Sequence, residues 1–185
     1  IHKNPAPENL LKYDINILIK ECNLLTDWYL PNAIGNPLSE TLINEFRNIL
    51  SRTFSKIPSN NPVLVMRDYH AENLIWLPKR SGINRVGLLD YQDALAGHPA
   101  YDLVSLLEDA RRDTSSDLQK NMINKYISNS DLNNEEFLMA YNLLGAQRNI
   151  KIIGIFSRLS LRDKKSNYID LIPRVWNHLI NNLNH

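Results

Sequence analysis

Residues 63–77 read VLVMRDYHAENLIWL, with Arg67, Asp68, His70, Glu72 and Asn73 set in one polar run between two short apolar ones. An ionised side chain leaves water only at high cost unless it is paired. The flanking VLVM and LIWL therefore read as strands that carry the polar residues out into a loop, where a rigid scaffold most often presents chemistry. A third apolar run, RVGLLD, ends on Asp90 and is joined to LIWL by PKRSGIN, whose Ser-Gly pair favours a turn. The pattern predicts a small β-hairpin beside a polar loop.

Everything around this region has a helical period. Ile15, Leu18, Ile19, Cys22, Leu25 and Trp28 recur at three- and four-residue spacing, predicting a helix over Tyr13–Tyr29 that Pro31 stops. Leu42, Phe46, Ile49, Leu50 and Phe54 predict a second helix, with Ser39 placed to cap it. From Tyr101 the period returns in LVSLLEDARR, DLQKNMINKYI, NEEFLMAYNLLGAQRNIKIIGIFSRLS and YIDLIPRVWNHLINNL. The opening IHKNPAPENLL has no periodic face and reads as a leading segment, and the Pro, Ser and Asn between Ile57 and Pro62 mark the passage into the β-region. With 185 residues and 43% hydrophobic composition the chain is expected to form one domain, 1–185, with a single core. The fold class is α+β, mostly helical, with a small central β-hairpin.

Charge excludes some partners. Twenty-one basic and 20 acidic residues leave a formal net charge of +1, so no overall field draws the chain to nucleic acid or an anionic membrane. No apolar run approaches membrane-spanning length. The lone Cys22 has no partner for an internal disulfide and no stretch has the form of a signal peptide, which points to a reducing cytoplasm.

The polar loop has a recognisable spacing. Arg67, Asp68 and Asn73 follow R-D-x-x-x-x-N, the order of a phosphoryl-transfer catalytic loop, and Asp90 closes the next apolar run. Such a reaction needs a carboxylate beside the attacking hydroxyl and oxygen ligands for magnesium on the nucleotide's phosphates. Asp68 suits the first role. Asn73 and Asp90 suit the second, because magnesium takes carboxylate and amide oxygens and keeps several waters.

MRDYHAENLIWL followed by LLDYQDALAGHPAYDLVSLL resembles the aminoglycoside phosphotransferase and choline kinase superfamily, whose signature is H-x-D-x-H-x-x-N, then I/L-D-W/Y/F, then G-x-P-x-x-D-L. The resemblance implies the C-terminal lobe of a protein-kinase-like fold, with ATP as phosphoryl donor, Asp68 as catalytic base, and Asn73 and Asp90 as Mg2+ ligands. It also implies that Ile75 and Leu89 lie under the adenine, that His70 orders the loop, and that Asp102 ties the loop down through backbone hydrogen bonds. The segment QRNIKIIGIFSRLSLRDKKSNYIDLIPRVWNHL, with CNLLTDWYLP, is similar to the branch of bacterial kinases acting on the anomeric hydroxyl of N-acetylmuramate and N-acetylglucosamine. The implied activity is an ATP-dependent small-molecule kinase, with aminoglycosides or choline and ethanolamine as alternative acceptors.

Two features depart from the family pattern. Met66 stands where histidine is usual, which forfeits any hydrogen bond the histidine would make to the loop and opens the reading of a nucleotide-binding pseudokinase. Upstream, Gly35 is the only glycine before the motif, and neither a glycine-rich turn between strands nor a strand lysine with a helix glutamate is present. The expectation is that the N-terminal nucleotide lobe of the same protein is absent from this chain, which alone would catalyse poorly.

The remaining residues have plainer readings. Arg67 either neutralises a phosphate or pairs with a nearby acid. Glu72 and Asp93 read as solvated loop carboxylates, and His98 as a turn residue. Arg148, Lys151, Arg158, Arg162, Lys164 and Lys165 read as a solvated basic face, a minority of which could meet an acidic sugar's carboxylate. Trp28 and Tyr29 read as core at a helix end, and Trp76 and Trp176 as core. A third functional class, a metal hydrolase, would need Asp68, His70, Asp90 and His98 to converge on one ion.

Overall fold

The computed structural model describes residues 1–185. Helix α1 spans Ile15–Leu24, with the Asp14 carboxylate accepting from the Ile17 amide as its cap. Pro31 does not stop it. The chain passes through one π-helical stretch, Leu25–Tyr29, into α2, Leu30–Ile34, and ends at Gly35 in the left-handed conformation with φ 80°. A π-turn leaves one carbonyl out of the usual ladder, so the amide that proline lacks is not missed. Helix α3, Glu40–Phe54, is capped by Ser39 as its sequence predicts.

Strand β1, Val63–Val65, pairs antiparallel with a strand at Leu95–Gly97, and β2, Leu74–Trp76, pairs antiparallel with β3, Val86–Leu88. The β2–β3 hairpin agrees with its sequence. The strand at Leu95–Gly97, β4, was not foreseen: Leu-Ala-Gly has no β-branched or aromatic residue and carries no strand signal of its own. Its position is set instead by tight packing, since a Cβ on Gly97 would lie 3.1 Å from Tyr13 and 3.2 Å from Val65. The leading segment also has definite partners, through Ala6 N to Pro62 O, Tyr13 N to Ala96 O and Ala96 N to Leu11 O.

Helix α4, Ala100–Leu107, is shorter than its apolar period suggests. Its extension through EDARR fails because the Asp109 carboxylate accepts from the Arg111 amide 3.0 Å away, a local turn that competes with the helix. Helices α5, Ser116–Ser128, α6, Asn134–Leu161, and α7, Ile172–Leu183, complete the fold, with a 3-10 stretch at Ser166–Leu171 before α7. Over Ala140–Ser157, α6 is buried on nearly every side, as a helix must be when its neighbours surround it. It packs against α1, α4 and α7. The approach to α1 is so close that a Cβ on Gly154 would stand 2.3 Å from the Leu24 carbonyl carbon. Cys22, Val65, Tyr101, Val104, Phe137, Ile153 and Val175 form the centre of the core. Trp176 is partly buried against it and donates its indole N–H to the Tyr29 hydroxyl, but Trp76 is 62% exposed on the hairpin, against the core reading of its apolar surroundings. No helix is long and apolar enough to cross a membrane.

Candidate active site

The polar loop leaves β1 through two residues whose backbone is held by one carboxylate. Met66 N donates to Asp102 Oδ2 at 2.8 Å and Arg67 N to Asp102 Oδ1 at 3.0 Å, while Ser105 Oγ donates to the Arg67 carbonyl at 3.2 Å. Asp102 is buried in the first turn of α4. Met66 is itself buried, and its backbone amide makes a loop-holding bond that does not depend on which side chain occupies the position. Arg67 adopts φ 67°, in the left-handed region that a non-glycine residue enters at a cost of about 1 kcal/mol or more. Its guanidinium donates to Glu21 and to the Asp93 carbonyl and lies over the Tyr13 ring. The conformation persists because these contacts over-determine it. Asp68, the next residue, is turned out to solvent.

The hairpin brings the other two residues to the same end. Asn73 Nδ2 donates to the Asp68 carbonyl at 2.9 Å. A carbonyl oxygen only accepts, so the amide nitrogen must face it and Oδ1 is turned away, free for another partner. Leu89 N donates to the Asn73 carbonyl at 3.0 Å, which carries the β2–β3 pairing one residue past Leu74↔Leu88 and sets Asp90 next to Asn73. Asp90 also has a left-handed backbone, φ 59°, and its Oδ1 accepts from Gln92 Nε2 at 2.6 Å. Ile75 and Leu89 remain exposed on this hairpin, at 42% and 44%.

His70 stands beside Asn73, its Nε2 3.4 Å from Asn73 Nδ2, and its Nδ1 is buried without a partner. Burial, then the Arg111 cation, lower its pKa, so the ring is neutral at pH 7 and accepts from the amide. Glu72 is exposed but not merely solvated, since it pairs with Arg111 at 3.0 Å.

The donor set decides which ion fits. No three His, Cys, Asp or Glu side chains gather closely enough to ligate a metal. His98 sits apart, with Nδ1 accepting from Ala100 N at 3.2 Å and its ring against Phe137. The four ligands of a metal hydrolase are therefore not brought together. One amide and one or two carboxylate oxygens on an exposed edge instead suit a hard cation that completes its shell with water and phosphate.

Behind the loop lie two buried polar clusters. Glu21 on α1 accepts from Arg67, Lys151 (2.9 Å), Gln147 (3.0 Å) and the Tyr13 hydroxyl. Glu108 accepts from Asn149 at 2.8 Å and Asn182 at 3.0 Å, and Arg148 donates to its carbonyl at 3.2 Å. Arg148 and Lys151 are thus interior, not part of a solvated basic face. Sequence reasoning missed Glu21, Glu108, Gln147, Asn149 and Asn182. The available signal was the polar run Gln147, Arg148, Asn149 and Lys151 set between the apolar LLGA and IIGIF of one helix, where polar groups persist only if something pairs with them.

The phosphotransferase enzyme family matches residues 1–139. An N-acetylmuramate/N-acetylglucosamine kinase of Caulobacter vibrioides is 39% identical, over 97% of this chain and 52% of its own length. Proteins of the same name are 30% identical in Neisseria meningitidis, over 92% of this chain and 52% of theirs, and 32% identical in Pseudomonas aeruginosa, over 90% and 50%. The chain thus spans about half the length of the curated relatives it matches. With its loop, hairpin and Asp102 anchor in place, the chain belongs to the phosphotransferase enzyme family.

Proposed function

We propose that this chain is the catalytic and acceptor-binding lobe of an ATP-dependent kinase for a small amino sugar of the N-acetylmuramate or N-acetylglucosamine kind. The observation that carries the reading is the meeting of Asp68, Asn73 and Asp90 at one end of the hairpin, through the Asn73–Asp68 and Leu89–Asn73 hydrogen bonds. The relatives' names support the acceptor, and their greater length supports a nucleotide lobe in polypeptide outside this chain. Asp68 takes the proton of the sugar hydroxyl as its oxygen bonds to the γ-phosphorus and the bond to the ADP oxygen breaks. Asn73 and Asp90 would hold Mg2+ through their side-chain oxygens, and the ion would neutralise charge on the phosphates. Ile75 and Leu89 offer apolar surface to the adenine, while Asp102 and His70 keep the loop in shape. The lone buried Cys22 suits a reducing cytoplasm.

The test is transfer from labelled ATP by the full-length protein across N-acetylmuramate, N-acetylglucosamine, aminoglycosides and choline. A phosphorylated amino sugar is expected, lost in Asp68→Asn. Product on another acceptor overturns the sugar assignment, and ATP binding without turnover on any acceptor overturns the kinase reading.

A further inference from the structure

We infer that Glu21 is a positioning residue, which fixes the orientation of Asp68 by holding Arg67 in its left-handed conformation. This rests on the assignment of Asp68 as the base. Glu21 lies on α1, remote in sequence from the loop, yet its Oε1 accepts from both Arg67 and Lys151, and its Oε2 from Gln147 and Tyr13. Its carboxylate is therefore saturated and held by three separate parts of the chain. Burial alone would raise its pKa, but Lys151, the Tyr13 hydroxyl and Arg67 outweigh that and hold it ionised below the usual carboxylate range.

The charge balance makes Glu21 more than one contact among several. Two cations, Arg67 and Lys151, share this single carboxylate, and neither forms an ion pair with any other acid. Without it, Arg67 would face Lys151 across a low-dielectric interior, and the guanidinium would swing toward water. Arg67 and Asp68 share a peptide bond. Asp102 holds the Arg67 amide, Ser105 its carbonyl, and Met66 O accepts from the Asp68 amide at 2.8 Å, so the anchored guanidinium is what remains to hold Arg67 at φ 67°, and its release lets that strained residue relax and shift Asp68. A displacement of about 1 Å at a reacting group can reduce turnover on the order of a hundredfold.

The experiment is a double-mutant cycle in the full-length protein with ATP and N-acetylglucosamine, using Glu21→Gln, Arg67→Gln and the double variant, with Asp68→Asn beside them. Both single variants are expected to lower kcat at least tenfold with KM for ATP and sugar within threefold of wild type. The double variant is expected to be no slower than Arg67→Gln, because Glu21 acts through Arg67. If Glu21→Gln fails to fold under its two uncompensated cations, Arg67→Gln and the double variant, which avoid that repulsion, still decide. A kcat for Arg67→Gln within twofold of wild type, or a double variant a further tenfold below it, overturns the inference. Full activity in Asp68→Asn instead overturns the assignment of the base and leaves the Glu21 result separately readable.

Discussion

The loop end of the hairpin and the interior behind it are both rich in polar side chains, but they treat them in opposite ways. Asp68 is exposed, Asn73 has an amide oxygen turned away from its protein partner, and Asp90 uses one oxygen on Gln92. Glu21, Asp102 and Glu108, by contrast, are shielded, and each accepts at least two hydrogen bonds. Buried polar groups must be satisfied by protein because no water reaches them, whereas groups left unsatisfied on an edge stay available to a ligand. The difference separates two kinds of polar group: what is complete holds the loop, and what is incomplete is what the proposed function assigns to metal and phosphate.

Breaking the support should therefore cost stability, and altering the hairpin surface should not. Gly154→Ala is the severest test, because its methyl would meet the Leu24 backbone and force α1 from α6, carrying Glu21 with it. A loss of about 3 kcal/mol is expected by chemical denaturation. Asp102→Asn leaves one of the Met66 and Arg67 amides facing a donor, and about 2 kcal/mol should be lost along with most activity.

His98 adds a pH-dependent test. Burial first, and then His2, hold its pKa down at about 4 from 6.5, and its Nδ1 must stay unprotonated to accept from Ala100 N. The unfolded chain takes up the proton first, so this stability is complete above pH 6.5 and is lost as pH falls toward about 4. Roughly 1 kcal/mol should disappear between about pH 7 and 5.5, and His98→Asn should flatten that slope. The smallest effect belongs to Trp76→Ser on the exposed hairpin, where the ring lies under the Arg85 guanidinium at 5.6 Å, and less than about 1 kcal/mol is expected.

What the sequence made legible follows the same division. Helical periods, the Ser39 cap and the β2–β3 hairpin were readable because each depends on near neighbours in the chain. Pairing of β1 with Leu95–Gly97 was not, since it is imposed by Tyr13 and Val65 packing on Gly97 from distant parts of the chain. Asp68, Asn73 and Asp90 stood out by their spacing, which is the one the proposed phosphoryl transfer requires. Glu21 stayed hidden on its helix, because its role comes from partners 46 and 130 residues away. Lys151 and Arg148 were misplaced for a related reason, charge being read as exposure when the Glu21 carboxylate that pairs with Lys151 and the Glu108 carbonyl that accepts from Arg148 lay far away in the chain.

The central claim is that Asn73 and Asp90, beside Asp68, hold the metal of a metal–nucleotide complex. Addition of Mn2+–ATP to isotopically labelled full-length protein tests it directly, since the paramagnetic ion broadens amide signals only of residues near it. Loss of the Asp68, Asn73, Leu89 and Asp90 signals, with those of Thr41–Arg52 on α3 unchanged, is the predicted result. Sharp signals at Asn73 and Asp90 with nucleotide bound, or broadening centred elsewhere, would contradict it.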